Sequence, residues 1–492
     1  MINSFIMNVN FRLWIILFVS FFVTINCVVG DEVGVISDAE KVGKRMRVNQ
    51  RQLDKLPAAF LSEAGIRQLK GKYITLYTDV KSNVEVDKLP QVFDLMVAGL
   101  CEYFGVKLVN YDGFHVRAFL IDDLSKFRKH NVLAGAVDLR FGYQLQNQIW
   151  VRRQKDEYYQ RHLFLHESVH AFMFYAFGTF PPFWYREGIA EMLATHKWEN
   201  GKLRLGWFPS DTKLVKGLGR VEVVRQFVEK VGDKSGVDGI DVGGLGYLFS
   251  LGENVQDIDQ VELYSLCWGF VMFCDNHPRY RAAFRRLVFR LTESRVDLAE
   301  RLIMLIASEG KTDKLTAQLR LEADWEDFKR NICYGYDFER AVIDFNSPSI
   351  NVTKNNKNNS FADIVIRADR GWQNSGVKLE AGKSYKFSAS GRFQVADKPN
   401  IWWSEPNGIT IRYNQKKPVG QLQAMILPEA VSPTAKIPVT NNRYLPKPEY
   451  KEIGEHTTWK PTQKGSLFLK INDSANSLSD NKGQIKVIVR EE

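Results

Sequence analysis

The sequence predicts an α+β protein built from two modules, a helix-rich module followed by an all-β module. Three observations support this prediction. Before residue 345, apolar residues recur at helical spacing over long stretches, with a few β-rich segments among them. After residue 360, short alternating strands are separated by Gly, Pro and Asn turns. Residues 346–360 are polar and Asn-rich with little to bury, which is typical of a linker.

The composition is that of an ordinary globular chain of 492 residues, with 45% hydrophobic and 25% charged residues. These proportions exclude a mostly disordered chain, a coiled coil and a collagen-like repeat. The formal net charge of +10 is mild for this length. Residues 41–55, the richest basic stretch, contain no aromatic stacking platform and no nucleic-acid motif, so we expect no nucleic-acid partner.

The N-terminus carries the pattern of an export signal. Arg12 precedes an apolar core at residues 13–23, and Gly30 then offers a cleavage position before an acidic residue. Two alternatives stay open: an uncleaved membrane anchor, and lipidation at Cys27 within a poor lipobox. We expect a signal peptide at 1–30 and a periplasmic or extracellular protein, which contacts a membrane only if this segment stays uncleaved.

The first module, residues 31–345, is expected to mix strands and helices. Its predicted strands lie at 71–80, 115–121 and 148–151. Its predicted helices lie at 89–104, 158–177, 181–196, 261–274, 280–291, 297–307 and 325–332. Many glycines at 232–252 predict a loop or a lid.

The second module, residues 361–492, is expected to be an all-β sandwich or jelly roll. Alternating polar and apolar residues predict its strands at 364–368, 384–390, 409–413, 467–471 and 484–489.

The most specific motif is the HExxH sequence at 166–170, inside a predicted helix. Two histidines four residues apart point from one helix face and can share a metal ion, with Glu167 beside the open coordination position. Catalytic zinc needs a third protein ligand. The metzincin continuation of this motif would need Gly at position 173 and His at position 176, where the sequence has Met173 and Ala176, so we expect a carboxylate of the next helix, Glu187 or Glu191.

An HExxH sequence followed by Pro-x-Trp-x-x-Glu-Gly-x-Ala-Glu, here at 182–191, resembles the gluzincin zinc metallopeptidases. The closest resemblance is to their uncharacterised bacterial branch, the peptidase MA-like proteins, over roughly residues 70–335. It implies a zincin-like domain, a small mixed sheet with helices, in which His166, His170 and Glu187 hold a catalytic Zn²⁺.

The resemblance also implies hydrolysis of a peptide or protein substrate. Zinc would lower the pKa of bound water toward about 7, and Glu167 would act as its general base. Tyr264, in a Tyr-x-x-x-Trp segment similar to the family's, is the candidate for stabilising the oxyanion, with packing on an apolar helix as the alternative. The strand at 148–151 is expected to pair with the substrate. Arg186 departs from the aminopeptidase relatives, which carry Asn there.

Three other polar residues near the motif are expected to have supporting roles. His162 is assigned to the surface or to support of the ligands, because a fourth ligand would close the position that catalytic zinc keeps open. Glu191 is expected to orient a ligand histidine. His196 is expected to end the second helix favourably.

The second module has an oxygen-rich sequence near its end, at 472–473 and 480–483. Oxygen donors around a turn suit Ca²⁺, although the same residues are common in ordinary turns. The spacing is similar to that of the soluble bacterial galactophilic lectins. That resemblance implies Asp473, Asp480 and Asn481 as calcium ligands and a glycan as a second ligand.

Two functions stay open on the sequence alone. The first is an exported zinc metallopeptidase whose β module binds calcium and a glycan. The second is a catalytically inactive peptidase-fold protein that acts as a carbohydrate-binding module of the cell envelope.

Overall fold

A computed structural model describes most of the chain beyond residue 54. The described residues are 55–107, 113–128, 132–133, 139–178, 181–215, 218–231, 243–251, 259–291, 297–346, 352–354, 360–428 and 447–492. Across them the chain mixes helices and sheets, and its C-terminal region is mostly strands, which confirms the predicted α+β class at that level. The expected signal peptide at 1–30 lies outside the described residues. Among the described helices, none has the length and apolar character needed to cross a membrane.

The first module contains a five-stranded mixed sheet. Its strands are β1 (Arg67–Lys70), β2 (Ile74–Thr78), β3 (Val116–Ile121), β4 (Gly142–Leu145) and β5 (Gln148–Arg152). They lie in the order β1-β2-β3-β5-β4, with β2, β3 and β5 parallel and the two outer strands antiparallel to their neighbours. Strand β5 pairs with β3 on one side and β4 on the other, so its backbone N–H and C=O groups are already hydrogen-bonded within the sheet. The prediction that it binds a substrate strand is therefore wrong. The outer strand beside it is β4.

Twelve helices are described in the first module. They are α1 (Ala58–Glu63), α2 (Val84–Asp87), α3 (Leu89–Phe104), α4 (Leu124–Phe127), α5 (Glu157–Phe177), α6 (Phe183–Ala194), α7 (Arg220–Val231), α8 (Leu245–Ser250), α9 (Gln260–Asn276), α10 (Arg281–Arg286), α11 (Leu298–Glu309) and α12 (Lys314–Asn331). Short 3₁₀ turns cover Thr212–Val215 and Leu287–Arg290. The segment at 232–252, expected to be a loop or lid, contains helix α8, while 232–242 and 252 lie outside the described residues.

His196 does not end a helix. It begins β6 (His196–Glu199), which forms a hairpin with β7 (Lys202–Leu205). Arg161 donates to its Nε2 at 2.8 Å, and its Nδ1 lies 2.7 Å from the carbonyl oxygen of Ala194. Burial lowers the pKa of His196 to about 3, so it is a neutral, hydrogen-bonded core residue.

Local signals explain where the two central helices begin and end. The Asp156 side chain accepts from the Tyr159 amide at 2.8 Å and caps α5, and Gly178 ends it in the left-handed conformation at φ 61°. Helix α6 begins after Pro182. On α6, a Cβ at Gly188 would lie 2.7 Å from the carbonyl oxygen of Cys267 on α9, so glycine permits the close approach of these helices.

The described residues of the C-terminal module are mostly in strands, with a short 3₁₀ turn at Leu478–Asp480. The strands are β8 (Val352–Lys354), β9 (Ser360–Arg367), β10 (Gln373–Leu379), β11 (Tyr385–Ser390), β12 (Phe393–Ala396), β13 (Trp402–Ser404), β14 (Asn407–Asn414), β15 (Lys417–Pro428), β16 (Glu449–Glu452), β17 (His456–Trp459), β18 (Gly465–Ile471) and β19 (Gln484–Glu491). One sheet has the order β10-β18-β15-β14 with β16 on β15, the second has the order β17-β11-β19-β9-β8, and β12 pairs with β13. The two five-stranded sheets share one apolar core. Within the expected linker, 352–354 pair with β9, and 347–351 and 355–359 lie outside the described residues.

Candidate metal centre

Helices α5 and α6 bring three side chains that could hold a metal ion to one point. His166 Nε2 lies 3.0 Å from His170 Nε2. Glu187 Oε2 lies 3.1 Å from His170 Nε2 and 3.4 Å from His166 Nε2. The donor atoms of the three residues all lie within 4.8 Å of one another. Two imidazoles and one carboxylate are the donor set of a catalytic zinc site with an open position, so the residues present fit this metal.

Arg186 selects which oxygen of Glu187 faces the histidines. Its Nε donates to Glu187 Oε1 at 2.9 Å, which leaves Oε2 directed at the two imidazoles. Burial opposes ionisation of Glu187, but His170 and His166 outweigh it and hold the pKa of Glu187 well below its ordinary value. The side chain is therefore a carboxylate, the form that binds a metal ion.

Glu191 supports His166 from the opposite side of the ring. Its Oε1 lies 3.3 Å from His166 Nδ1, while its Oε2 lies 3.1 Å from His162 Nε2. Arg220 of α7 holds both oxygens, with Nη2 donating to Oε1 at 2.9 Å and Nε donating to Oε2 at 3.1 Å. Arg220 Nη1 also donates to Ser265 Oγ at 3.1 Å.

His162 is not at the surface, because it is fully buried against Glu191. His162, His166 and Glu191 also offer donor atoms within 4.8 Å of one another. The guanidinium of Arg220 already neutralises this carboxylate, and a metal ion there would meet its positive charge. We therefore assign these residues to support of His166 rather than to a second metal site.

The charges around His166 favour a positive charge at the centre. Burial alone would lower the pKa of His166, but the nearby carboxylates of Glu187 and Glu191, at 3.4 Å and 3.3 Å, outweigh it and raise the pKa to about 10. Burial also raises the pKa of Glu191, but Arg220 and then His162 outweigh it and hold it well below its ordinary value. A cation at this point would be stabilised by the same two carboxylates.

Glu167 lies beneath the edge strand β4. A Cβ built on Gly142 would lie 2.8 Å from Glu167 Cγ and 2.9 Å from Glu167 Cδ, so only glycine lets the strand approach this closely. Burial raises the pKa of Glu167, against the opposing effect of His166 and His170. A higher pKa makes a carboxylate a stronger base, which suits a group that accepts and returns a proton.

Tyr264 reaches the centre from α9. Its ring lies 6.0 Å from the His166 ring and 5.8 Å from the Phe183 ring, centroid to centroid. Burial raises the pKa of Tyr264, with a further contribution from Glu187, so its hydroxyl stays a neutral hydrogen-bond donor. The residue both packs and faces the cavity, so the two roles expected for it are compatible.

These residues line one cavity of about 630 Å³. This volume lies in the range of small-molecule and peptide-side-chain pockets. The wall is formed by β4, by the three donor residues, and by apolar and polar neighbours: Gly142, Tyr143, Gln144, His166, Glu167, His170, Met173, Phe174, Pro181, Arg186, Glu187 and Tyr264. Sequence reasoning missed Arg220 and the position of β4, because a lone arginine and a four-residue strand carry no specific local signal.

The three candidate calcium ligands lie in the loop between β18 and β19. Asp473 accepts from the Ser474 amide through Oδ1 at 2.7 Å, and Asn481 donates through Nδ2 to the Ala368 carbonyl at 3.1 Å. The remaining oxygens, Asp473 Oδ2, Asn481 Oδ1 and Asp480 Oδ1, are buried and have no hydrogen-bond partner among the described residues. Buried oxygens are normally paired, so this set fits a cation that prefers oxygen ligands.

The electrostatics of this loop agree with that interpretation. Burial raises the pKa of Asp473 to about 6, against the opposing effects of the Ser474 amide, Asn481 and Arg412, and the charge of Asp480 adds a smaller increase. A cation coordinated by this carboxylate would offset the penalty of burial.

No protein-family model and no curated protein matches this sequence. Among solved structures, the chain is similar to one described as "EclA N-terminal domain; PllA-like lectin". The sequence identity is 21% and the TM-score 0.20, over 26% of this chain and 95% of that chain. A likeness of this size decides nothing about what this chain does.

Proposed function

We propose that this chain is an exported zinc metallopeptidase of the gluzincin type, which hydrolyses peptide bonds. The observation that carries the proposal is the convergence of His166, His170 and Glu187 beside Glu167 in one cavity. The proposal of export rests on the N-terminal sequence pattern alone.

The proposed chemistry divides between the metal and the protein. A zinc ion held by His166, His170 and Glu187 would act as a Lewis acid and lower the pKa of a bound water. Glu167 accepts the proton of the attacking water and donates it to the leaving amine, a role that its raised pKa supports. The neutral hydroxyl of Tyr264, which lines the same cavity, would donate to the developing oxyanion.

The proposed substrate is an extended peptide that pairs with β4. This strand ends the sheet and lines the cavity at Gly142, Tyr143 and Gln144. An outer strand offers backbone N–H and C=O groups to a peptide, which gives affinity independent of side-chain sequence. The close contact between Gly142 and Glu167 would bring a bound peptide bond near the general base.

Metal analysis tests this proposal directly. Purified full-length protein is expected to contain about one zinc ion per chain, because three protein ligands around one open position hold a single ion. Glu187→Ala is expected to lose most of this zinc, as measured by inductively coupled plasma mass spectrometry. Glu199→Ala, on the exposed hairpin of β6, is the matched control and should keep it. Equal zinc in both variants, or no zinc in the wild type, would overturn the proposal.

A second function is favoured by the unpartnered oxygens of Asp473, Asp480 and Asn481. We propose that the C-terminal module, whose motif resembles the galactophilic lectins, binds Ca²⁺ and a glycan. Calcium takes 6–8 oxygen ligands, and sugar hydroxyls can supply those that the protein lacks. Trp403 is 50% exposed and pairs with Gln394, whose side chain donates to the Asp480 carbonyl at 2.8 Å, so an aromatic face lies near the site.

A glycan array with and without calcium checks this second function. We expect the protein to be retained on the glycans only when calcium is present. Retention should persist in the His166→Ala variant because His166 belongs to the other module. If the peptidase fold is inactive, retention will persist while no peptide is cleaved. An array without signal in both conditions would contradict glycan binding.

A further inference from the structure

We propose that the loop at 472–483 is a cation-dependent clasp that fastens the C-terminal module to the first module. The proposal rests on the proposed cation site and gives that site a further role. We call these residues the clasp loop.

One side of the clasp loop carries the cation ligands. Among the residues that the structure describes, Asp473, Asp480 and Asn481 each have one buried side-chain oxygen without a hydrogen-bond partner. The side chains of Asp473 and Asn481 are 6% and 3% exposed. Buried oxygens without hydrogen-bond partners carry a desolvation penalty, which a cation that coordinates them would remove.

The other side of the clasp loop contacts the first module. Asn476 Nδ2 donates to the Tyr334 carbonyl at 2.9 Å, and the Asp337 amide donates to the Ala475 carbonyl at 3.2 Å. Ala475 and Leu478 are 5% and 4% exposed and belong to the apolar core of the first module. Residues of one module thus complete the core of the other.

The order of these residues along the chain links the two sides. The contact residues 474–478 lie between the ligand Asp473 and the ligands Asp480 and Asn481. A cation that joins the ends of this segment restricts its conformations to those with both ends together. The contact residues then lose conformational entropy when the cation binds, so they have less left to lose when the modules dock. Cation binding and docking of the modules should therefore stabilise each other.

A second contact area holds the modules together independently of the cation. Trp372 Nε1 of the C-terminal module donates to Asp327 Oδ1 on α12 at 2.8 Å. Ala323 and Ile343 pack there with Trp372 and Phe468. The modules should therefore stay associated without calcium, and the effect of the cation should be local to the clasp loop and the residues that it contacts.

Hydrogen exchange read by mass spectrometry tests the clasp in the full-length chain. Protein treated with chelating resin is compared with and without CaCl₂ at 100 times the dissociation constant. Calcium is expected to slow exchange at 473–481 and also at 333–337, where the Asp337 amide donates across the interface. At that concentration the opening equilibrium should shift by roughly 100-fold. Asp473→Asn combined with Asp480→Asn should lose both effects, and Asp363→Asn on β9 should keep them.

A second variant separates the clasp from simple calcium binding. Asn476→Ala combined with Leu478→Ala removes contacts to the first module and leaves the ligands in place. Calorimetry should show calcium affinity within a few-fold of the wild type, while protection at 333–337 is lost and protection at 473–481 remains. If wild-type calcium protects only 473–481, the clasp is wrong and the cation site stands. If the wild type binds no calcium, both are wrong, whereas zinc content reports separately on the peptidase.

Discussion

Glu167→Gln is expected to lower peptide hydrolysis by at least roughly 100-fold while one zinc ion per chain stays bound. Gln has nearly the same size and keeps the packing beneath Gly142, but its amide cannot take a proton from water. Loss of a general base typically lowers the rate by roughly 10²–10⁴-fold. The measurement is kcat/KM on peptides cleaved by the wild type, with zinc content determined on the same samples.

Glu157→Gln is the matched control for this variant. Glu157 lies in the first turn of the same helix and is exposed, so its change should leave both activity and zinc unchanged. Glu167→Gln activity within about threefold of the wild type would remove Glu167 from the mechanism. If zinc-loaded wild type cleaves no peptide in a broad library, the enzyme assignment falls, and the carbohydrate-binding alternative becomes the better description.

Arg220→Met is expected to weaken zinc binding by roughly 10–100-fold, although Arg220 touches none of the three proposed metal ligands. Its two hydrogen bonds hold Glu191 ionised and aligned with His166 Nδ1. Without the guanidinium, Glu191 is a buried charge without its cation, which costs about 3–5 kcal/mol. Glu191 must then move or take a proton, and His166 loses the partner that orients its ring. Competition with a chelator of known zinc affinity measures the effect.

Two further variants distinguish orientation of the ligand from general damage. Arg220→Lys keeps the charge but not the two parallel donors, so we expect an intermediate loss of zinc affinity. Arg225→Met lies on the same helix, is exposed and should change nothing. Unchanged zinc affinity in a folded Arg220→Met protein would show that Arg220 is not required for Glu191 to support His166. Thermal unfolding of each metal-free variant reports whether the fold itself is intact.

The sequence by itself determined the local elements and the face on which the two histidines lie. Helix α3 occupies the predicted residues 89–104, and α5 begins one residue before its predicted start. These predictions succeed because helical periodicity and caps depend on residues a few positions apart. The same periodicity places His166 and His170 together in any context, since residues four apart share a helix face.

The tertiary structure alone decided which residues support and surround that pair. Strand β5 looked accessible in the sequence, but β3 and β4 flank it, because strand order depends on pairings between distant segments. Arg220 lies 29 residues from Glu191 along the chain, and the loop at 472–483 meets residues 334–337 of the other module. Such contacts are set by how whole helices and sheets pack together, and that packing leaves no short pattern in the sequence.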